Sequence, residues 1–127
     1  MLVLVTGATS GIGKSTAQLF AKNGYDIIIS GRRKERLESV SKELQATYKA
    51  KVLTLCFDVR NFSEVENAIK SIPAEFNNID ILVNNAGLAA GLSAIQSGDL
   101  SHWERMIDTN IKGLLYMTRE VCKGMIE

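Results

Sequence analysis

A run of glycines set between an apolar strand and the start of a helix constrains this chain most. Leu2 to Thr6 is a short apolar segment of strand length, and Thr6-Gly7-Ala8-Thr9-Ser10-Gly11-Ile12-Gly13-Lys14-Ser15 continues from it. A strand that feeds such a turn and then a helix N-terminus is a phosphate site on physical grounds. The first glycine permits a tight turn, the next lets the backbone approach a pyrophosphate, and the last allows close helix–strand packing. Unpaired N–H groups and the helix dipole then attract the anion. The spacing is Gly7-x3-Gly11-x-Gly13, not the commoner G-x-G-x-x-G. A rival shares these letters. Gly13-Lys14-Ser15 ends like a P-loop, with Ala8 where that motif needs a glycine, and a later apolar strand ends in Asp58 as a metal-binding strand of a nucleoside triphosphatase would. Within this window the two readings stand level; in the dinucleotide reading Lys14 is merely exposed on the first helical turn.

The rest of the chain alternates strand and helix. A helix is expected from about Gly11 to Asn23, with Ile12, Ala17, Leu19, Phe20 and Ala21 on its apolar side and Gly24 as its stop. Tyr25 to Ser30 reads as the second strand. Arg33 to about Lys49 reads as an amphipathic helix through Leu37, Val40, Leu44 and Tyr48. Lys51 to Phe57 is the third strand, with Cys56 as a core residue. Ser63 caps a short helix in a capping box with Glu66. Ile79 to Val83 is the fourth strand, and Leu100 to Glu127 reads as one long helix. Short apolar strands separated by helices imply a parallel sheet covered on both faces, and right-handed crossovers make it doubly wound. The expected fold is therefore α/β of the Rossmann type, with about four strands and flanking helices. A full dinucleotide fold has six or more strands in the order 3-2-1-4-5-6, so residues 1–127 are expected to form one incomplete dinucleotide-binding domain with Ile79 to Val83 at an open edge.

The end of the second strand separates the two phosphate readings. In a dinucleotide site that point meets the adenosine ribose about twenty residues after the glycines. It reads Ser30-Gly31-Arg32-Arg33 here. An NAD site would offer Asp or Glu to the ribose hydroxyls, whereas a guanidinium fork suits a 2′-phosphate, so NADP(H) is the expected cofactor. Two arginines opening a helix are otherwise unfavourable, because the positive end of the dipole repels them unless an anion is near.

Taken in order, Thr6 to Gly13, Asp58-Val59, Asn84-Asn85-Ala86-Gly87 and Asn110 resemble the short-chain dehydrogenase/reductase family. The Asn-Asn-Ala-Gly element is the most specific of these, and a P-loop protein has no use for it. Gly31-Arg32-Arg33-x-Glu35-Arg36-Leu37, Ile79 to Val83 and Met106 to Asn110 read like the NADP-dependent 3-hydroxy acid dehydrogenases within that family. The resemblance implies that Gly7, Thr9, Ser10, Gly11, Ile12 and Gly13 hold the pyrophosphate, and that Arg32 and Arg33 hold the 2′-phosphate. It implies that Asp58 accepts from the adenine amino group with Val59 packed beside it. Asn85, Ala86 and Gly87 would pass beneath the ribose, Asn84 would stabilise the sheet, and Asn110 would be the structural member of a catalytic tetrad.

The family's serine and its Tyr-x-x-x-Lys pair have no match here: Tyr25 is followed by Ile29, Tyr48 by Val52 and Tyr116 by Glu120. The chain alone is therefore expected to bind cofactor without turning over a small hydroxy or keto substrate. A non-catalytic nucleotide-binding module is the alternative, and a P-loop hydrolase a remoter one. The formal charge of +1 gives no global field to recruit nucleic acid or a membrane surface. Two cysteines and a single histidine, His102, supply no metal site. No basic leader or membrane-length apolar run is seen, so a cytoplasmic protein is expected. Self-association is expected through the open strand edge or the long helix.

Overall fold

The computed structural model describes residues 1–126. Four parallel strands form one sheet in the order β3-β2-β1-β4, built from β1 (Leu2–Val5), β2 (Asp26–Gly31), β3 (Val52–Cys56) and β4 (Ile81–Val83). β1 pairs with β2 from Leu2↔Asp26 to Val5↔Ile29, and with β4 from Val3↔Ile81 to Val5↔Val83. Helices α1 (Gly11–Lys22) and α2 (Lys34–Tyr48) follow β1 and β2, and α3 (Phe62–Lys70) follows β3. The expected doubly wound topology and strand order are present.

Both faces of the sheet are covered, which explains why its central strands are apolar throughout. Side chains alternate along each strand: Leu2, Leu4 and Ile28 enter a core with Val65, Met117 and Val121, while Val3, Val5, Ile27 and Ile29 enter a second core with Ala17, Ala21, Leu37 and Leu44. Each fully buried branched side chain contributes about 1.5–3 kcal/mol relative to exposure. The residues of α1 that are fully buried are small, namely Gly13, Ala17 and Ala21, while Phe20 packs half-buried at the edge of this core, as expected. Ile12 and Leu19, expected on the apolar side, are instead 79% and 61% exposed. Glycine and alanine let α1 lie close to the sheet, and that closeness leaves Ile12 and Leu19 outside.

Three further expectations are corrected. Cys56 ends β3 exposed: alternation puts Leu55 and Phe57 inward and Cys56 on the other face, at the end of an edge strand, where its Sγ donates to Arg32 O at 3.5 Å. The cap of α3 is Asn61, whose side chain accepts from Glu64 N at 3.2 Å, so the helix starts before Ser63 can cap it. The long C-terminal helix is interrupted. α4 (Leu100–Ile107) is capped by Asp99, a π-helical segment occupies Asp108–Gly113, and α5 (Leu114–Ile126) continues from it. Glu127, the last residue of the expected helix, lies outside the described residues. Between β4 and α4, residues 84–99 are largely irregular, with one 3₁₀ turn at Ile95–Ser97.

Candidate nucleotide site

The carboxyl ends of the strands open into a cleft of about 310 Å³. Parallel sheets of this topology place ligands there, where strand order reverses beside β1. The glycine turn forms one wall. Gly7 takes φ +62° and Gly11 φ +56°, left-handed conformations that favour glycine. A Cβ on Gly7 would stand 2.9 Å from Ala86 Cα, and one on Gly13 would collide with Gly7 O and Asn85 Nδ2. The turn is therefore packed against the segment after β4 with no space for side chains. Ser10, at the N-cap of α1, makes no side-chain capping bond, and Lys14 N to Ser10 O at 3.3 Å opens the helical ladder. The first-turn N–H groups ahead of that bond have no intrahelical acceptor.

Lys14 does not line the cleft. Its ammonium lies 3.2 Å from the Glu43 carboxylate on α2, so it is paired and not merely exposed. A P-loop lysine must reach the phosphates, and this one is turned towards another helix.

The segment after β4 is held from two sides. Thr6 Oγ1 accepts from Asn85 N at 3.0 Å and from Ala86 N at 2.9 Å, and Asn85 Nδ2 donates to Gly7 O at 3.0 Å. Asn84 Nδ2 donates to Thr118 Oγ1 at 3.0 Å, tying the end of the strand to α5. Further along, Leu88 N donates to Asn110 Oδ1 at 2.8 Å and Asn110 Nδ2 donates to Leu88 O at 2.9 Å. One side-chain amide thus satisfies both polar groups of a loop residue from within the π-helical segment. Gly87 lies against the same Asn110, where a Cβ would be 3.0 Å from Oδ1.

At the far wall, Arg32, Arg33 and Arg36 gather where β2 passes into α2. Gly31 lies close under Thr9, with 2.8 Å from an added Cβ to Thr9 Cγ2. Asp58 and Val59 close the floor beside Phe57. The Asp58 carboxylate pairs with Arg60, Nη2 to Oδ2 at 2.6 Å. That side-chain hydrogen bond holds Asp58 below the usual carboxylate range, against the opposing effect of burial.

Of the residues expected at a site, Gly7, Thr9, Ser10, Arg32, Arg33, Asp58, Val59, Ala86 and Gly87 line this cleft. Gly11, Ile12, Gly13, Asn85 and Asn110 do not. Gly13, Asn85 and Asn110 instead brace the residues that do, as the contacts above show, and Gly11 and Ile12 open α1. Four residues were given no role at the site by the sequence reading: Arg36, Arg60, Thr6 and Thr109. Arg36 had a signal, since it falls one helical turn after Arg32 and Arg33. Thr109 lines the cleft while its buried Oγ1 has no partner among the described residues.

The family model for short chain dehydrogenases matches residues 1–127. The chain is 50% identical over 127 residues to the NADP-dependent 3-hydroxy acid dehydrogenase YdfG of Salmonella typhi, covering 100% of this chain and 50% of that protein. It superposes on serine dehydrogenase from Escherichia coli with a TM-score of 0.93 and 48% identity, over 99% of this chain and 56% of that one. It superposes on a closed form of serine dehydrogenase complexed with NADP+ with a TM-score of 0.89 and 48% identity, over 99% of this chain and 49% of that one. The chain spans about half the length of the curated relatives it matches. With its glycine turn, its Asn-Asn-Ala-Gly segment and its sheet order all in place, the chain belongs to the short chain dehydrogenase family.

Proposed function

We propose that this chain binds NADP(H) and forms the cofactor-binding part of a dehydrogenase for a small hydroxy or keto substrate, such as a 3-hydroxy acid. The observation that carries the reading is the trio Arg32, Arg33 and Arg36 at the end of β2, sharing one cleft with the glycine turn. Three guanidiniums suit a 2′-phosphate, whereas a free ribose diol calls for a carboxylate acceptor. The donor set fits the cofactor in two further respects: the turn is built for backbone approach, and Thr109 Oγ1 is a buried polar atom in want of a partner. When bound, the nicotinamide supplies or accepts a hydride. The chain's own contribution is to bind and orient. Gly7 to Gly13 hold the pyrophosphate, the arginines hold the 2′-phosphate, Asp58 and Val59 take the adenine, and Asn85 to Gly87 run beneath the ribose. Asn110 holds the following loop at Leu88. The acid–base residues of the reaction lie, on this reading, outside the 127 residues. The relatives named for NADP-dependent 3-hydroxy acid and serine dehydrogenation support the substrate class.

Titration with NADPH, NADH and magnesium ATP tests this. NADPH is expected to bind most tightly, and Arg32→Asp to cut its advantage over NADH by roughly ten- to a hundredfold, as for loss of charge-assisted hydrogen bonds. Preference for magnesium ATP sinks the reading, and equal affinity for NADPH and NADH removes the arginine argument. The exposed Leu100, Ile107, Ile111, Leu114 and Leu115 support self-association as part of the same proposal. A monomer by light scattering across a wide concentration range counts against that part.

A further inference from the structure

One motif of the sequence has no use in the NADP(H) reading. Gly13-Lys14-Ser15 ends like the phosphate loop of a nucleoside triphosphatase, whose lysine reaches the terminal phosphates. Lys14 sits on the first turn of α1, one turn beyond Ser10, which lines the cleft. Residues four apart share a helix face, and side chains lean towards the N-terminus. The flexible stem of a lysine spans about one turn, so the helix alone would let this ammonium reach back to the mouth of the cleft. What keeps it away comes from α2. Glu43 Oε2 lies 3.2 Å from Lys14 Nζ, and Gln18 Nε2, one turn further along α1, donates to Glu43 Oε1 at 3.1 Å. The carboxylate therefore sits between Lys14 and Gln18, not between Lys14 and Ser10, and both of its oxygens are engaged. The two charged side chains are 36% and 44% exposed, so the pair holds the lysine by about fivefold at most. The rest of the turn departs from a triphosphate loop in the same sense. Ala8 stands where a glycine is needed, its N donates to Ser30 O at 3.1 Å and is thus committed to β2, and Ser15 does not line the cleft.

We propose that Glu43 is a positioning residue that sets nucleotide specificity: by holding Lys14 against α2 it withholds from the cleft a cation that a triphosphate tail would need. The inference rests on the reading that the cleft takes NADP(H). Withholding a donor discriminates as supplying one does, because a triphosphate denied its lysine keeps its terminal charge unpaired. NADP(H) loses nothing by it. Its pyrophosphate is esterified at both ends and presents no terminal phosphate to Lys14, and its 2′-phosphate has Arg32, Arg33 and Arg36. Those three guanidiniums also repel the ammonium from the empty cleft, which adds to the hold of Glu43.

A double-mutant cycle tests this. The chain, Glu43→Gln, Lys14→Met and the double variant are titrated with magnesium ATP and with NADPH at low salt, where exposed charges are least screened. Both residues are partly exposed and neither enters a core, so all four proteins are expected to fold. Glu43→Gln keeps an acceptor for Gln18 and loses the charge that holds Lys14. It should bind magnesium ATP roughly three- to fivefold more tightly, the hold of an exposed ion pair, and NADPH within about twofold of the unsubstituted chain. Lys14→Met alone should change neither affinity by more than about twofold, and in the Glu43→Gln background it should abolish the gain. A gain equal for both nucleotides, a gain that survives Lys14→Met, or no gain at all overturns the proposal. So does a loss of about tenfold or more in NADPH affinity on Lys14→Met, which would mean that Lys14 leaves Glu43 for the cofactor. Each of these results leaves the NADP(H) reading standing while the unsubstituted chain prefers NADPH. Preference of that chain for magnesium ATP overturns both.

Discussion

Thr6→Val isolates one oxygen atom on which the cleft depends. Thr6 is 1% exposed, and its hydroxyl accepts from Asn85 N and Ala86 N while contacting Val83 O at 3.4 Å. Valine fills the same space, so no cavity opens and the extended backbone is retained. Asn85 N keeps a second acceptor, Val83 O at 3.0 Å, whereas Ala86 N has no other acceptor among the described residues. One backbone donor is therefore orphaned and a shared one is weakened. Ala86 N is half-buried, so leaving it unpaired costs in the lower half of the about 1–3 kcal/mol range, and part of a second bond adds a few tenths, giving about 2 kcal/mol. For a chain of this size that lowers Tm by roughly 6–10 °C. Urea unfolding should show a lower midpoint at unchanged slope, Thr6→Ser should recover most of the loss, and NADPH should bind Thr6→Val more weakly because Ala86 and Gly87 line the cleft. A loss below about 0.5 kcal/mol, or Thr6→Ser no better than Thr6→Val, would refute the assignment of this hydroxyl as the anchor of the segment.

Other perturbations follow from neighbouring contacts. Gly13→Ala drives a Cβ into Gly7 O and Asn85 Nδ2 and should cost about 3 kcal/mol or more in thermal unfolding, while Gly24→Ala, with φ +85° and open space, should cost about 1–2 kcal/mol. Asn110→Ala removes the acceptor of Leu88 N, so the Leu88 amide should exchange with solvent roughly tenfold faster or more, with strand β1 unaffected. Asp58 has a folded pKa below its unfolded value, chiefly through its side-chain hydrogen bond with Arg60. Its contribution to stability is then complete above the unfolded value of about 3.9 and is lost as pH falls through the lower folded value. Unfolding free energies of the parent chain and Asp58→Asn should differ near pH 6 and converge on acidification; a constant difference down to about pH 2 would contradict this.

What could be read from the sequence was whatever repeats or is local. Strand period, helix spacing and the glycine turn specify the doubly wound sheet, and Arg32 and Arg33 announce themselves where the second strand ends. Features that depend on which atoms meet across the fold were not legible. Cys56 sits in an apolar run, yet its place at the end of an edge strand leaves it exposed. Ile12 and Leu19 look like core, but close approach of α1 buries only Gly13, Ala17 and Ala21 fully and leaves both of them exposed. The π-helical segment has no periodic signature, since one helical pattern runs on either side of it. Thr6 and Arg60 act through a single oxygen and a single guanidinium, and neither residue type at those positions signals a partner 79 residues away or two residues back.

The sheet order also bears on when the site comes into being. β1 pairs with β2 across 24 residues, Leu2 to Asp26, but with β4 across 78, Val3 to Ile81. Closing the longer loop costs more chain entropy before any contact rewards it, so β1, β2 and β3 with α1 and α2 should assemble ahead of β4. At that stage the glycine turn and the arginines are already in place, while Thr6 still lacks the two amides it accepts. Arrival of β4 brings Ala86 and Gly87 over Gly7 and finishes the pocket in one step. Competence to bind a nucleotide should therefore lag behind the gain of helical signal during refolding, and NADPH should accelerate only the later phase.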